Sequence, residues 1–269
     1  MNETISVVRD YYNEQVEHEW NRIAGRPEFL LTCRMFNRYI KPGDSVLDIG
    51  GGPGRYSIHL AARGCDVTLF DLSPENVKFA SERAIEQNLS IKTIAGDACF
   101  VDEVVNEKFD HVLLMGPMYH LLEECERVKA MNAALSVLKP DGIIYVSFIQ
   151  MMGGVIYWMK WAPEAIEVLL SSEVEFKERF LAQKSYAGDG FTKAHFIELS
   201  KVLPFMSQFP LKKLHLFGQE GIMSPCESNI ISQPKEIIDS WLDLCEMIWD
   251  REEFLSWAEH LMYVGKKYE

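Results

Sequence analysis

Asp48, Gly50, Gly52 and Gly54 lie within seven residues, in the stretch SVLDIGGGPGRYS (45–57). Four glycines in five positions, broken only by Pro53, follow directly on an apolar run. Backbone this permissive costs folding entropy, so it marks a place where a bare main chain is needed. A glycine turn between a strand and a helix presents amide N–H groups to a ligand beyond the carboxyl ends of the strands. The dinucleotide spacing G-x-G-x-x-G fails in both frames: read from Gly50 the third glycine is Arg55, and read from Gly51 the second is Pro53. No Gly-Lys-Ser/Thr follows, so a P-loop is excluded as well. The spacing met is G-x-G-x-G. Two more acids stand at the ends of the next two apolar runs, Asp71 in DVTLFD and Asp97 in AGDA. A carboxylate about 20 residues after the turn can accept both hydroxyls of a ribose, and one on the following strand end can meet an adenine amino group. Helix capping is the competing role for such acids, but Ser73 already caps the helix after Asp71. Together these residues point to nucleoside binding.

The elements that must position them are legible around them. Residues 4–24 and 27–40 read as helices, the second closed by KPGD. Apolar runs follow at 45–50, 66–71, 91–96, 109–116 and 143–149, with helix-like stretches at about 55–64, 75–88 and 123–138. SPEN (73–76) supplies a capping serine and a first-turn proline, and KPDG (139–142) stops the last of these helices. Alternating strand and helix predicts a doubly wound α/β domain with parallel strands buried on both faces. After residue 150 the rhythm changes. Residues 152–190 are rich in Trp, Met and acids; TKAHFIELSKVLPFMSQF (192–209) reads as a helix, LKKLHLFG (211–218) as a strand, IIDSWLDLCEMIW as a helix and HLMYVGKK as a final strand. The two helical excursions are expected to form a cap.

Composition narrows the function classes. The chain has 269 residues, 48 % hydrophobic and 25 % charged, enough for a large core in one domain with a cap. A net charge of −13 disfavours nucleic acid and anionic membrane surfaces as partners. No run of 18 apolar residues is present, the polar start is unlike a targeting segment, and six cysteines contain no C-x-x-C pair, so a reduced cytoplasmic setting is expected.

VLDIGGGPGR, LFDLS, AGDA, FDHVLLMGPMYHL and LKPDGIIYVSFI resemble successive motifs of class I S-adenosylmethionine-dependent methyltransferases, in particular the ubiquinone-methyltransferase-like small-molecule group. The resemblance covers residues 45–150 and resumes at GFTKAHF, LHLFGQEG and MYVGKK. It implies a Rossmann-like methyltransferase fold, a seven-stranded, mostly parallel sheet whose last strand is antiparallel beside the fifth. It also implies a single methyltransferase domain over 1–269, with a helical lid at 1–40 and cap insertions at 152–190 and 219–258. Carried over residue by residue, it implies a cofactor site for S-adenosylmethionine. Gly50 and Gly52 would let backbone approach the methionine moiety and ribose, Asp48 would order the turn or reach the amino group through water, and Asp71 would bind the ribose diol. Leu72 would pack on adenine, Asp97 and Ala98 would read its edge, and Met115 would line the sulfonium pocket. Tyr12 and Arg34 would close over the cofactor, Arg34 pairing with its carboxylate.

Methyl transfer to a small-molecule acceptor is an in-line displacement that asks the protein for positioning and water exclusion. A base is needed only for a protonated nucleophile. Tyr119 and His120, in GPMYHLL, fall where the family places its substrate-facing loop and are the candidate catalytic pair. His195, from the cap, and Tyr157, in the aromatic stripe GGVIYWMKWAPEAIEVLL (153–170), are candidate acceptor contacts. If that stripe faces the pocket, Tyr157, Trp158 and Trp161 favour a flat apolar or cationic acceptor. His59, His111, His215 and His260 fall on regular elements and read as structural. No cluster has metal-ligand spacing, so no metal is expected. Two other readings stay open: a non-catalytic S-adenosylmethionine-binding protein and, against the missing third glycine, a nicotinamide-dependent oxidoreductase.

Overall fold

The computed structural model describes residues 3–167 and 170–268; residues 1, 2 and 269, and residues 168 and 169 within the expected cap, lie outside the described residues. Three helices come first: α1 (Glu3–Glu14), α2 (Val16–Arg22) and α3 (Pro27–Tyr39). The single helix expected over 4–24 is therefore two helices, interrupted at Gln15. Then strand and helix alternate through β1 (Ser45–Ile49), α4 (Arg55–Ala62), β2 (Asp66–Asp71), α5 (Pro74–Glu86), β3 (Lys92–Ala95), α6 (Val101–Val104), β4 (Phe109–Leu114), α7 (Glu124–Ser136) and β5 (Leu138–Gln150). The second half holds α8 (Met151–Trp161), α9 (Ser171–Leu181), β6 (Tyr186–Asp189), β7 (Lys193–Ile197), α10 (Leu199–Met206), β8 (Leu211–Gly218), α11 (Glu227–Ile231), α12 (Lys235–Ile248) and β9 (His260–Lys267).

The sheet runs β3-β2-β1-β4-β5, with every neighbouring pair parallel. It continues into β9, antiparallel to β5, and then β8. This is the expected seven-stranded arrangement with an antiparallel last strand beside the fifth. The departure is at 186–197. A hairpin of β6 and β7 attaches at Ile149 and Gln150, the carboxyl end of β5, making nine strands in all. Residues 193–197, expected as the start of a helix, are strand β7 because β5 offers them an unpaired edge, and the helix begins only at Leu199.

Strand alternation divides the core. Leu47, Ile49, Val112, Leu114, Ile144 and Val146 pack on one face of the sheet with Met131 of α7. Val46, Val67, Leu113 and Tyr145 pack on the other with Phe36 of α3 and Leu60 of α4. Asp48 shares the face of Val46, and so enters an apolar layer. A smaller cluster of Leu31, Met223, Leu242 and Cys245 ties α3 to α12, and another of Met151, Phe176 and Tyr186 ties α8 and α9 to the hairpin. No helix among the described residues is long and apolar enough to cross a membrane.

Candidate active site

The glycine turn leaves β1 with Gly50, Gly52 and Gly54 at φ of +74°, +55° and +86°, the left-handed region that side chains disfavour. A Cβ at Gly50 would lie 2.4 Å from Pro117 Cδ, so the turn is also packed tightly on the loop after β4. A Cβ at Gly52 would meet nothing within 4 Å: the main chain there faces open space. Asp71 fixes this geometry. Its carboxylate accepts from Gly52 N (2.8 Å), Ser73 N (2.8 Å) and Asn76 Nδ2 (3.2 Å). Ser73 Oγ accepts from Asn76 N, the cap expected at the start of α5. Asp97 accepts from Cys99 N (2.9 Å) and turns the chain after β3.

These residues line one cleft. Of the expected cofactor contacts, Tyr12, Asp48, Gly50, Gly52, Asp71, Leu72, Asp97, Ala98 and Met115 all face it. Asp48 is 1 % exposed; Oδ2 accepts from Ser57 Oγ (2.7 Å), while Oδ1 has no partner. Burial, with a lesser contribution from the Asp71 charge, pushes its carboxyl up to about 7. An acid with one buried, unpartnered oxygen at the base of the cleft is a site for a cationic group.

Arg34 is a correction. It is not among the residues lining the cleft; its guanidinium pairs with Asp243 (2.5 Å) and Glu246 (3.1 Å) of α12. Arg38, one turn on, pairs with the same Glu246, so this face of α3 is a helix–helix contact.

A second cavity, about 720 Å³ in volume, adjoins the cleft. Tyr12, Glu19, Arg22, Glu28, Tyr119 and His260 line both, so they form the wall where the two meet. Tyr157 lines this cavity with Trp158 and Trp161 of α8, so the aromatic stripe does face a pocket. His120 faces the cleft with both nitrogens engaged. Nδ1 lies 3.0 Å from the Lys193 carbonyl, which only accepts, so Nδ1 carries the proton. Nε2 then accepts from Tyr12 O–H at 2.7 Å. Burial holds this imidazole down at about 4, so it is neutral and bolts α1 to the loop after β4. Burial pushes the Tyr119 and Tyr12 phenols above their ordinary value.

His195 is the second correction. It lies on β7, buried, and is not among the residues lining either cavity. Phe196 faces the second cavity, and strand alternation sends its neighbour His195 to the opposite face, where burial and Arg127 hold its ring at about 3.

Sequence reasoning missed His260, Glu220 and Glu28. His260 Nδ1 bonds Glu220 Oε1 at 2.6 Å, and Glu220 Oε2 accepts from the backbone N–H groups of Glu259 and His260, both at 3.0 Å. Glu28 accepts from Arg22 (3.1 Å), which also pairs with Glu19 (2.9 Å). Polar atoms of Glu28, Glu220 and His260 lie within 4.8 Å of one another. Although burial opposes it, the charges of Glu220 and Glu28 push His260 up to about 9. The one sequence signal was that β9 begins with a histidine, at the strand end that borders the cleft.

Residues 46–142 match the family model of the methyltransferase domain. The chain is 34 % identical over 148 residues to ubiquinone biosynthesis O-methyltransferase of Haemophilus ducreyi, covering 51 % of this chain and 61 % of that protein. Over residues 46–142 the chain is thus similar to S-adenosylmethionine-dependent methyltransferases of small molecules. It is also 27 % identical over 191 residues to glycine/sarcosine N-methyltransferase of Aphanothece halophytica, 66 % of each chain. The chain thus spans less than two thirds of the length of these curated relatives. Among solved structures it resembles magnesium protoporphyrin IX methyltransferase from Synechocystis PCC 6803 with bound SAH, with a TM-score of 0.61 and 15 % identity over 98 % of this chain and 100 % of that one. The N-methyltransferase NodS from Bradyrhizobium japonicum, in complex with S-adenosyl-l-homocysteine, gives 0.55 and 14 % over 96 % and 99 %. At these identities the likeness is one of fold: a Rossmann-like α/β sheet with helices over the carboxyl ends of its strands.

Proposed function

We propose that this chain transfers a methyl group from S-adenosylmethionine to a small-molecule acceptor, as one methyltransferase unit with α1–α3 as lid and the segments after β5 and β8 as cap. The observation that supports this above all is the meeting of two cavities at Tyr12, Tyr119 and His260. One is a glycine-turn cleft with acids at three strand ends, and the other is lined by aromatic rings. The cleft fits the cofactor: Gly52 faces open space, and the buried Asp48 Oδ1 lacks a partner. Asp48 would take the cofactor's ammonium, Asp71 and Leu72 its ribose and adenine face, Asp97 and Ala98 the adenine edge, and Met115 the sulfonium side. When bound, the cofactor supplies an activated methyl group. Tyr119 contacts the acceptor from the shared wall, and the Tyr12–His120 bond holds the lid shut over it. The contacts are positioning and water exclusion, which suffice for in-line displacement and are worth up to roughly 7–11 kcal/mol.

Calorimetry on the folded protein tests the reading. S-adenosylhomocysteine should bind with measurable heat and NAD should not; transfer of labelled methyl from S-adenosylmethionine to a panel of amines, phenols and thiols then identifies turnover. Absence of heat with both sulfur nucleosides overturns it. Binding without turnover on any acceptor leaves a non-catalytic binding protein.

A further inference from the structure

Resting on the reading above, we propose that the acceptor is an amine carrying an apolar or aromatic body, its ammonium received between Glu28 and His260 at the junction of the two cavities.

Charge around the second cavity carries the first part of the argument. Its described lining holds seven carboxylates against three permanent cations, Arg22, Arg26 and Lys160. Each of those cations is already matched. Arg22 pairs with Glu19 and Glu28, Lys160 with Glu227 (2.6 Å) and Glu259 (2.8 Å), and Arg26 with Glu227 (3.6 Å). An anionic acceptor would find none of these three permanent cations unpaired and would face an excess of carboxylates. A cationic one gains from them, and from aromatic faces such as Tyr11, Tyr119, Tyr157 and Trp158.

Geometry at the junction locates the head group. Glu28 gives its Oε2 to Arg22, and among the described residues no hydrogen bond is made to its Oε1. The Glu220 carboxylate is spent: two backbone N–H groups hold one oxygen and His260 Nδ1 the other. That carboxylate therefore orients the imidazole, and among the described residues His260 Nε2 makes no hydrogen bond, in a ring that lines both cavities. An ammonium entering here can donate to Glu28 Oε1 and to His260 Nε2. A divalent metal would instead have to share Glu220 with the three donors that its carboxylate already accepts.

The charged and titratable groups facing His260 are Glu220, Glu28, Arg22 and the Tyr119 ring, with Glu259 beside Glu220. Without a ligand, the imidazolium is the cation that balances Glu28 and Glu220. An entering ammonium takes over that role, and the proton leaves His260 for solvent. The neutral imidazole then removes one proton from the bound R–NH3⁺. The freed nitrogen lone pair forms the new N–C bond as the methyl carbon's bond to sulfur breaks, its electron pair returning to sulfur. The products are R–NH2CH3⁺, neutral S-adenosylhomocysteine and one proton on His260 that passes to solvent.

The test uses the full chain loaded with S-adenosylhomocysteine, whose binding is first confirmed by calorimetry. Benzylammonium, benzyl alcohol and benzoate share one body and differ in charge. Quenching of tryptophan fluorescence should show benzylammonium binding at least tenfold more tightly than benzyl alcohol, and benzoate not at all. Glu28→Gln should weaken benzylammonium at least tenfold while changing the S-adenosylhomocysteine dissociation constant less than twofold; Glu28→Asp serves if that variant fails to fold. In the labelled-methyl panel, amines should be methylated and phenols and thiols should not. Preferential benzoate or benzyl alcohol binding, label in phenols alone, or benzylammonium binding only with added Mg2+ or Mn2+ would each overturn the proposal while leaving the cofactor reading intact. Loss of S-adenosylhomocysteine binding in the wild type would overturn that reading instead.

Discussion

Asp48 carries a carboxylate oxygen, Oδ1, that the protein buries and leaves unpaired. Its carboxyl is pushed up to about 7 by burial, above the roughly 3.9 of an unfolded chain. The folded state therefore binds the proton more tightly, so this residue's contribution to stability falls as pH rises from about 4 to about 7 and stays low above that. Asp48→Asn should raise the melting temperature of the ligand-free protein at pH 8 and leave it unchanged near pH 4, while weakening S-adenosylhomocysteine at least tenfold. Equal melting shifts at both pH values would show that the charge is not what is penalised. Asp71 sits differently, since three donors already converge on it. Asp71→Ala should lower the melting temperature and weaken the cofactor about ten- to a hundred-fold, the worth of a charge-assisted hydrogen bond of roughly 1.5–3 kcal/mol. Affinity within twofold of wild type would return Asp71 to a turn-forming role alone. His120 is fixed as a neutral tautomer by the Lys193 carbonyl and Tyr12. His120→Ala and Tyr12→Phe should therefore slow methyl transfer by similar factors, and by the same factor from pH 6 to pH 9. A loss that appears only as an imidazole near 6.5 titrates would make His120 a base instead.

The turn after β1 is one element with two separable jobs. At Gly50 an added methyl collides with Pro117, so Gly50→Ala should destabilise the fold by more than the roughly 1–2 kcal/mol of a left-handed alanine. At Gly52 the space in front is open and φ is +55°, so Gly52→Ala should cost little beyond that strain but intrude on the cleft. Thermal melts and calorimetry on the two variants check this: stability should fall most for Gly50→Ala, and affinity should fall for Gly52→Ala even where folding is intact. Strands β1, β2, β8 and β9 matched their sequence signals closely, because they are runs whose apolar content leaves few alternatives. The segment at 193–197 did not. Its residues suit helix or strand alike, and the exposed end of β5 decided the matter.

At the scale of the whole molecule, the contacts that tie α1 and α2 to the rest of the chain include Tyr12 to His120, Ser73 Oγ donating to Asn13 Oδ1 (2.6 Å), and Arg55 donating to the Trp20 carbonyl (3.0 Å from Nε) while stacking on its ring. Cofactor bound beneath α1–α2 should add to them. S-adenosylhomocysteine at 100 times its dissociation constant contributes about 2.7 kcal/mol, which for a chain of this size is a rise of roughly 5–10 °C in melting temperature. Scanning calorimetry reads this directly, and no rise at saturation would mean that the ligand does not bind the folded state. The amino-acid sequence by itself determined the alternation of strands and helices, the glycine turn and the acids at the ends of β1, β2 and β3. Those are local facts: apolar periodicity, left-handed backbone and short-range spacing are all written in neighbouring residues. Only the tertiary structure decided that Arg34 is consumed by α12, that β7 turns His195 away while presenting Phe196, and that Glu28, Glu220 and His260 meet. Those outcomes depend on which distant segments pack together, and no spacing along one chain records that.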